Sequence, residues 1–315
     1  MKIKKAVITA AARGTRLYPV GDTVQKAMLP LADSDGVHKP IIQIIAEEAF
    51  SSGIEEICLI CAPGDEERYV LAFETLKSNL EKAFGGAKWA NQQAEKIAHL
   101  LAHLRFVVQE ETRGYGHAVW CAKDFVGEDA FLLLLSDHLY QSNQVATCAT
   151  QLIGLAEAEQ CAVSAVNPTP EHLIGQYGTL RGHHIGGQTG VFEIEKIIEK
   201  PSLSTAELEL LTPGMRSGHY LCFFGMHVLT AGIFDLLEKS IVKAKNGQDI
   251  QLTTAQQQLV KQQKYLAKII DGRRFNLGNH FGLLEAQIAF GLKSPQSNEL
   301  LSSIVNQLAI NQRLG

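Results

Sequence analysis

The stretch Ala6-Val7-Ile8-Thr9-Ala10-Ala11-Ala12-Arg13-Gly14-Thr15-Arg16 sets the reading of the whole chain. An apolar run empties into a turn of small residues, followed by Pro19 and then by Lys26-Ala27-Met28-Leu29-Pro30. Small side chains let backbone N–H groups close in on phosphate oxygens. Arg16 and Lys26 supply charge to offset what builds on the phosphates during a reaction. Read alone, the stretch also fits an ordinary strand-to-helix turn bearing two solvated cations.

Outward from this turn, strand-like and helical runs alternate. Residues 6–9, 56–62, 104–109, 130–136 and 162–167 read as strands; residues 40–52, 66–75, 89–103, 116–125 and 144–158 read as helices. This alternation predicts an α/β fold, a Rossmann-like mixed and mostly parallel sheet with helices on both faces. Ligands of such sheets bind beyond the carboxyl ends of the strands. From Tyr177 the pattern changes to strands at 177–181, 190–199 and 219–227, with helices at 230–244 and 252–263. These are expected to extend the first sheet and cover one side of the cleft. No linker rich in Pro, Gly or Ser divides the chain, so residues 1–292 read as one domain, with a helical tail at 293–315. The tail's Leu300, Leu301, Ile304, Leu308 and Ile310 suit a closing helix or an oligomer contact.

The 315 residues carry a net charge of −4, so no basic field points to nucleic acid. No apolar run reaches the roughly 18 residues of a membrane span, and the start lacks a signal peptide's apolar core. A soluble, cytoplasmic protein is expected. Cys58 and Cys61 have metal-site spacing but lie in an apolar run without a second Cys or His pair. All six cysteines read as core thiols of a reducing compartment.

Three further segments bear chemistry. Asp137 follows Phe131-Leu132-Leu133-Leu134-Leu135-Ser136, which puts a carboxylate at a strand end where it can hold Mg²⁺ or serve as a turn or helix cap. Gln109 and Gly114-Tyr115-Gly116-His117-Ala118 suit a flat base, the amide reading its edge and the glycines letting backbone approach. Glu199-Lys200-Pro201 pairs a carboxylate for sugar hydroxyls with a cation for phosphate, although Glu-Lys pairs are commonly just solvated.

The order of these pieces, continued by Tyr177-Gly178, by Gln248-Asp249-Ile250-Gln251-Leu252-Thr253 and by Gly278-Asn279, resembles the sugar-1-phosphate nucleotidyltransferases. The pattern is nearest to their bacterial UTP–glucose-1-phosphate uridylyltransferase branch and runs from about Lys5 to Leu292. The resemblance implies a nucleotide-binding part over about 1–170 and a sugar-binding part over about 171–292. It implies that Ala11, Ala12, Gly14 and Thr15 contact the nucleotide, and that Arg16 and Lys26 act on its phosphates. Gln109 and Gly114 would read uracil. Asp137 and Asn276 would bind Mg²⁺. Gly178 and Glu199 would hold the sugar, with Lys200 on its phosphate. The implied reaction is in-line attack of a sugar-phosphate oxygen on the α-phosphorus of UTP, releasing pyrophosphate, with positioning and charge neutralisation as its means. Homo-oligomers, dimers or tetramers, are common among such relatives.

The chain departs from that pattern in places. Ala12 replaces a glycine, Arg13 a small or apolar residue, and Gln25 a proline, while residues 34–38 look inserted. Asn276 stands where the uridylyltransferase pattern has a metal-binding Asp. Asn keeps an oxygen ligand but loses a charge, as in the similar N-acetylglucosamine-1-phosphate uridylyltransferases. Asp271, five residues upstream, replaces it only by a shift of register. The departures leave open a catalytically impaired relative that binds nucleotide sugars, or an enzyme for another sugar 1-phosphate.

Overall fold

The computed structural model describes residues 1–12, 24–245 and 247–313. Arg13, Gly14, Thr15, Arg16 and Pro19 lie outside the described residues. The first elements are β1 (Ile3–Thr9), β2 (Pro30–Ala32), β3 (His38–Pro40), α1 (Ile41–Ser51), β4 (Glu56–Cys61), α2 (Asp65–Phe84), α3 (Lys88–His103) and β5 (Leu104–Val108). Next come α4 (Tyr115–Trp120), α5 (Lys123–Val126), β6 (Ala130–Leu135), β7 (His138–Ser142), α6 (Cys148–Glu159), β8 (Ala162–Pro170), β9 (Gly178–His184) and β10 (Val191–Glu199). The chain continues through α7 (Leu203–Glu209), β11 (His219–Leu229), α8 (Gly232–Lys243), α9 (Leu252–Val260), β12 (Tyr265–Ile269), β13 (Gly272–Asn276), α10 (Gly282–Gly291) and α11 (Ser297–Arg313).

A nine-stranded sheet in the order β5-β4-β1-β6-β11-β8-β12-β10-β9 organises the molecule. β5, β4, β1 and β6 are parallel neighbours. Among the strands of this sheet only β11 and β10 run against the rest. Burial explains the unbroken apolar runs. On β6, Leu132 and Leu134 join the core under α1, α2, α3 and α6, while Phe131 and Leu133 join the core under α4, α8 and α9. A strand buried on both faces has no reason to alternate. Each such side chain contributes roughly 1.5–3 kcal/mol by leaving water. The mixed sheet with helices on both faces is as the sequence predicts.

Several elements differ from the sequence reading. The helix expected at 116–125 divides into α4 and α5, and α2 runs nine residues past the expected end at 75, to Phe84. The helix expected from 144 starts at Cys148, because the Thr147 side chain caps it by accepting the Thr150 N–H at 3.1 Å. The hairpin of β2 and β3, and the β7–β13 ladder, give no sequence signal, since strands of three to five residues carry too little periodicity. Of the seemingly inserted residues 34–38, the first four lie in the hairpin turn, with Gly36 at φ +81°, and His38 opens β3.

That hairpin is fastened by a buried charge. Lys39, 2% exposed, meets Asp33 at 2.5 Å, Asp35 at 2.7 Å and Glu47 at 3.0 Å. Burial disfavours its ammonium form, but the three carboxylates outweigh that and raise its pKa. All six cysteines are free, and burial pushes the Cys58 and Cys61 thiols up to about 12. No helix among the described residues is long and apolar enough to cross a membrane.

Candidate active site

β1, β5 and β6 run in parallel, so their carboxyl ends open on one side of the sheet. The loops there are tied to neighbouring strands by Ala10 N–H to the Ile60 carbonyl at 2.7 Å, Gln109 N–H to Cys61 at 2.9 Å and Ser136 N–H to Thr9 at 3.2 Å. A cavity of about 280 Å³ lies over these ends, lined by Ala11, Ala12, Lys26, Gln109, Gly114, Tyr115 and Asp137 among others. A second cavity, about 400 Å³, shares Gly114, Tyr115 and Leu135 with the first and continues to Gly178, Glu199, Lys200, Arg274 and Asn276. Of the described residues to which the resemblance gives a role, Ala11, Ala12, Lys26, Gln109, Gly114 and Asp137 line the first cavity and Gly178, Glu199, Lys200 and Asn276 the second. A larger cavity of about 500 Å³, between the β2–β3 hairpin and α2–α3, holds none of them.

Asp137 lines the first cavity and is followed by His138, which lines the second. Asp137 Oδ2 accepts from Lys26 Nζ at 2.8 Å and its Oδ1 from His138 Nδ1 at 2.7 Å. Burial alone would raise its pKa, but the hydrogen bond from His138 and the charge of Lys26 hold it well below the usual carboxylate range. Burial lowers the pKa of His138 despite the carboxylate beside it, so the imidazole is neutral near pH 7 and Lys26 is the balancing charge.

Asn276 reaches this point across the β7–β13 ladder, where it pairs with His138. Leu277 N–H donates to the Asp137 carbonyl at 2.9 Å, locking the approach. A Cβ placed on Gly278 would stand 3.0 Å from Asn276 Oδ1, 3.2 Å from Lys26 Nζ and 3.4 Å from Asp137 Oδ2. A carboxylate and an amide oxygen so gathered suit a hard cation that takes its other ligands from phosphate and water. Among the described residues no group of three His, Cys, Asp or Glu could hold a metal by itself. Asp271 faces away, accepting from Asn143 at 2.9 Å and Gln144 at 2.7 Å.

Gln109, 4% exposed, donates through Nε2 to His117 Nδ1 at 2.9 Å and to the Gly114 carbonyl at 3.4 Å. That fixes its amide and leaves Oε1 as an acceptor. The glycines of Gly114-Tyr115-Gly116 have a second reason to be there. A Cβ on Gly116 would come within 2.8 Å of the Ile250 carbonyl, and one on Gly114 within 3.0 Å of Ile250 backbone. Gly116 N–H donates to Ile250 O, and Ile250 N–H to Arg113 O, both at 2.8 Å. Close packing of the Asp249-Ile250-Gln251 segment therefore demands small residues, independently of any base.

In the second cavity Gly178 faces Glu199 across the β9–β10 ladder. A Cβ there would meet Phe223 Cδ2 at 2.7 Å, Glu199 Oε2 at 3.1 Å and Thr253 Cγ2 at 3.1 Å. Lys200 Nζ lies 4.0 Å from Glu199 Oε1, and its backbone holds φ +44°. This left-handed conformation costs of order 1–3 kcal/mol outside glycine. The floor is a buried ring that the sequence reading missed. Gln256 Nε2 contacts Tyr265 Oη at 2.8 Å and His227 Nδ1 at 3.2 Å, and Ser164 Oγ is 2.6 Å from both Tyr265 Oη and His227 Nδ1. Burial pulls His227 down to about 3. Gln256 Oε1 and Tyr115 Oη are buried without a protein partner among the described residues. Arg274 was also missed. Its only signal was its place two residues before Asn276, on the same face of an extended segment.

The nucleotidyl transferase family profile matches residues 5–290. A UTP–glucose-1-phosphate uridylyltransferase of Streptococcus pneumoniae serotype 4 is 33% identical over 98% of this chain and 96% of its own length. One from Staphylococcus epidermidis is 33% identical over 98% and 99%. Among solved structures, apo-UDP-glucose pyrophosphorylase superposes with TM-score 0.78 at 27% identity, over 92% of this chain and 99% of that one. UTP-bound UGPase from Acinetobacter baumannii gives 0.76 at 29% identity over 97% and 99%. A profile spanning nearly the whole chain, relatives matched end to end and a shared sheet around the paired cavities place this chain in the nucleotidyl transferase family.

Proposed function

We propose that the chain catalyses UTP plus glucose 1-phosphate to UDP-glucose plus pyrophosphate. The observation that carries this reading is the pair of adjoining cavities that share Gly114, Tyr115 and Leu135, with Lys26 and Asp137 of the first and Asn276 of the second gathered around Gly278. The 280 Å³ cavity takes the nucleotide, with Gln109 Oε1 accepting from the base ring N–H and the Ala11-Ala12 backbone beside the phosphates. Gly14, Thr15 and Arg16 are assigned to the same triphosphate from the sequence pattern. The 400 Å³ cavity takes the sugar phosphate, with Glu199 accepting from hydroxyls and Lys200 on the phosphate. On this reading residues 1–170 form the nucleotide part and 171–292 the sugar part of one domain.

Asp137 and Asn276 would hold Mg²⁺, which when bound neutralises phosphate charge. Lys26 donates to Asp137 until phosphates compete for its ammonium, and then follows the charge that grows on the departing pyrophosphate. His138 keeps Asp137 oriented. The small Gly178 leaves room for the sugar ring, and the two cavity walls hold the reacting oxygens in line.

The free, buried thiols support a reducing, cytoplasmic site of action. Exposed Leu301, Val305 and Leu308 on α11, at 52–60%, support self-association as a dimer or tetramer, read by light scattering; a monomer would refute it. The activity is tested by pyrophosphate release from UTP, glucose 1-phosphate and Mg²⁺, with other sugar phosphates and triphosphates in parallel. Release with this pair fastest is expected. UDP-glucose binding without release from any pair would leave a binding protein on an enzyme's fold.

A further inference from the structure

One cation in the sugar-side cavity has no assigned work. Arg274 lines that cavity. One terminal nitrogen of its guanidinium donates to the Phe223 carbonyl at 2.8 Å, and the group lies 4.4 Å from the Tyr177 ring centre and 6.0 Å from that of Phe224. Among the described residues no carboxylate lies within ion-pair distance of it, whereas Lys200 has Glu199 and Lys26 has Asp137. A guanidinium has five N–H donors, and a single carbonyl leaves most of them unused. The side chain is half-buried, and a cation drawn from water gains most when an anion comes to meet it.

Its position says which anion. Arg274 is two residues before Asn276 on β13, so both side chains leave the same face of the strand. Asn276 marks the reacting centre with Asp137 and Lys26. On its other side Arg274 stacks on Tyr177, the neighbour of Gly178 at the sugar end. The group between the reacting centre and the hexose is the phosphate on the sugar's first carbon. We propose that Arg274 is a second cation for that phosphate, acting with Lys200, with its plane set by Tyr177 and the Phe223 carbonyl so that its open N–H edge meets phosphate oxygens. This rests on the proposed reaction and adds a residue to its substrate site.

The test is initial-rate kinetics of wild type, Arg274→Gln and Arg274→Lys, with melting curves to establish folding. In Arg274→Gln the KM for glucose 1-phosphate should rise about tenfold or more, as befits a lost charge-assisted hydrogen bond. The KM for UTP should stay within about twofold, since a phosphate-specific contact on the sugar side leaves nucleotide binding alone. Arg274→Lys should fall between, keeping charge but losing the fork, and its deficit should be readable even were the Gln variant to melt early. Added salt should narrow the gap between wild type and Arg274→Gln. An unchanged KM for glucose 1-phosphate in both variants overturns the proposal. So does a selective loss of glucuronic acid 1-phosphate turnover with glucose 1-phosphate untouched, which would assign the arginine to a sugar carboxylate. A wild type inert with every sugar 1-phosphate would instead sink the parent reaction, before any variant is compared.

Discussion

The nucleotide-side cavity takes its walls from the carboxyl ends of β1, β5 and β6, parallel strands from the first 135 residues. The sugar-side cavity is assembled from β9, β10, β11, β13 and α9, where strand directions reverse and partners lie far apart in the chain. The first is held by main-chain ties between neighbouring strand ends. The second depends on side chains, including a ring of Ser164, His227, Gln256 and Tyr265 at its floor and a non-glycine residue in left-handed conformation at its rim. On the proposed reading, phosphate chemistry falls to the side tied by main-chain hydrogen bonds, and recognition of the sugar to the side built from side chains of distant segments.

If that division is right, damage on the two sides has different signatures. Lys26→Ala should give the largest effect. With the ammonium gone, kcat should fall about 10²–10³-fold, the range for removing one charge-stabilising donor, and the melting temperature should drop because Asp137 loses its balancing charge, with the variant still folded at assay temperature. Pyrophosphate release read beside circular dichroism decides it; a fully active variant would remove Lys26 from the chemistry and break the comparison on its reactive side.

Acid should strike the sugar side first. Burial depresses His227 to about 3 in the folded protein against about 6.5 unfolded, so the unfolded chain takes up the proton more readily. Stability from this group is present above pH 6.5 and is lost as pH falls toward 3, roughly 2 kcal/mol of it between pH 7 and 5. His117 and His138, also lowered by burial, act in the same sense. Asp137 has the same sign but a lower window, below the ordinary carboxylate range. Denaturant melts of wild type and His227→Gln at pH 7 and 5 should show the variant losing roughly 2 kcal/mol less. Equal losses would mean that the ring at the floor opens without cost.

The smallest effect is expected where the two cavities meet. Asn276→Asp restores a charge beside Asp137, so the Mg²⁺ concentration for half-maximal rate should drop several-fold. An unchanged dependence would take Asn276 out of the metal's coordination. It would leave the amide its observed task of accepting the Gly278 N–H at 2.9 Å.

The legibility of the site follows the same division. Ala11, Ala12, Gln109, Gly114 and Asp137 could be placed at the cavity because each follows a strand whose apolar run is visible and whose parallel direction fixes which end holds the ligand, and Lys26 through its motif Lys26-Ala27-Met28-Leu29-Pro30. Gly178, Glu199 and Lys200 could be found through the resemblance of ordered motifs. His227 and Gln256 could not, because a polar residue inside an apolar strand or on a helix gives no sign of its partners until both are packed. Arg274 escaped for a related reason: β13 is five residues long and exists only by pairing with β7.

By itself the sequence determined the α/β alternation and the strands buried on both faces, because local periodicity acts along the chain whatever its final partners. The tertiary structure alone decided that Asn276 stands opposite His138, that Ile250 presses on Gly114 and Gly116, and that Arg274 lacks a carboxylate among the described residues. Those are relations across a hundred residues or more of chain or between separate strands. They are fixed by ladder register and by close packing, and neither leaves a periodic trace in the sequence.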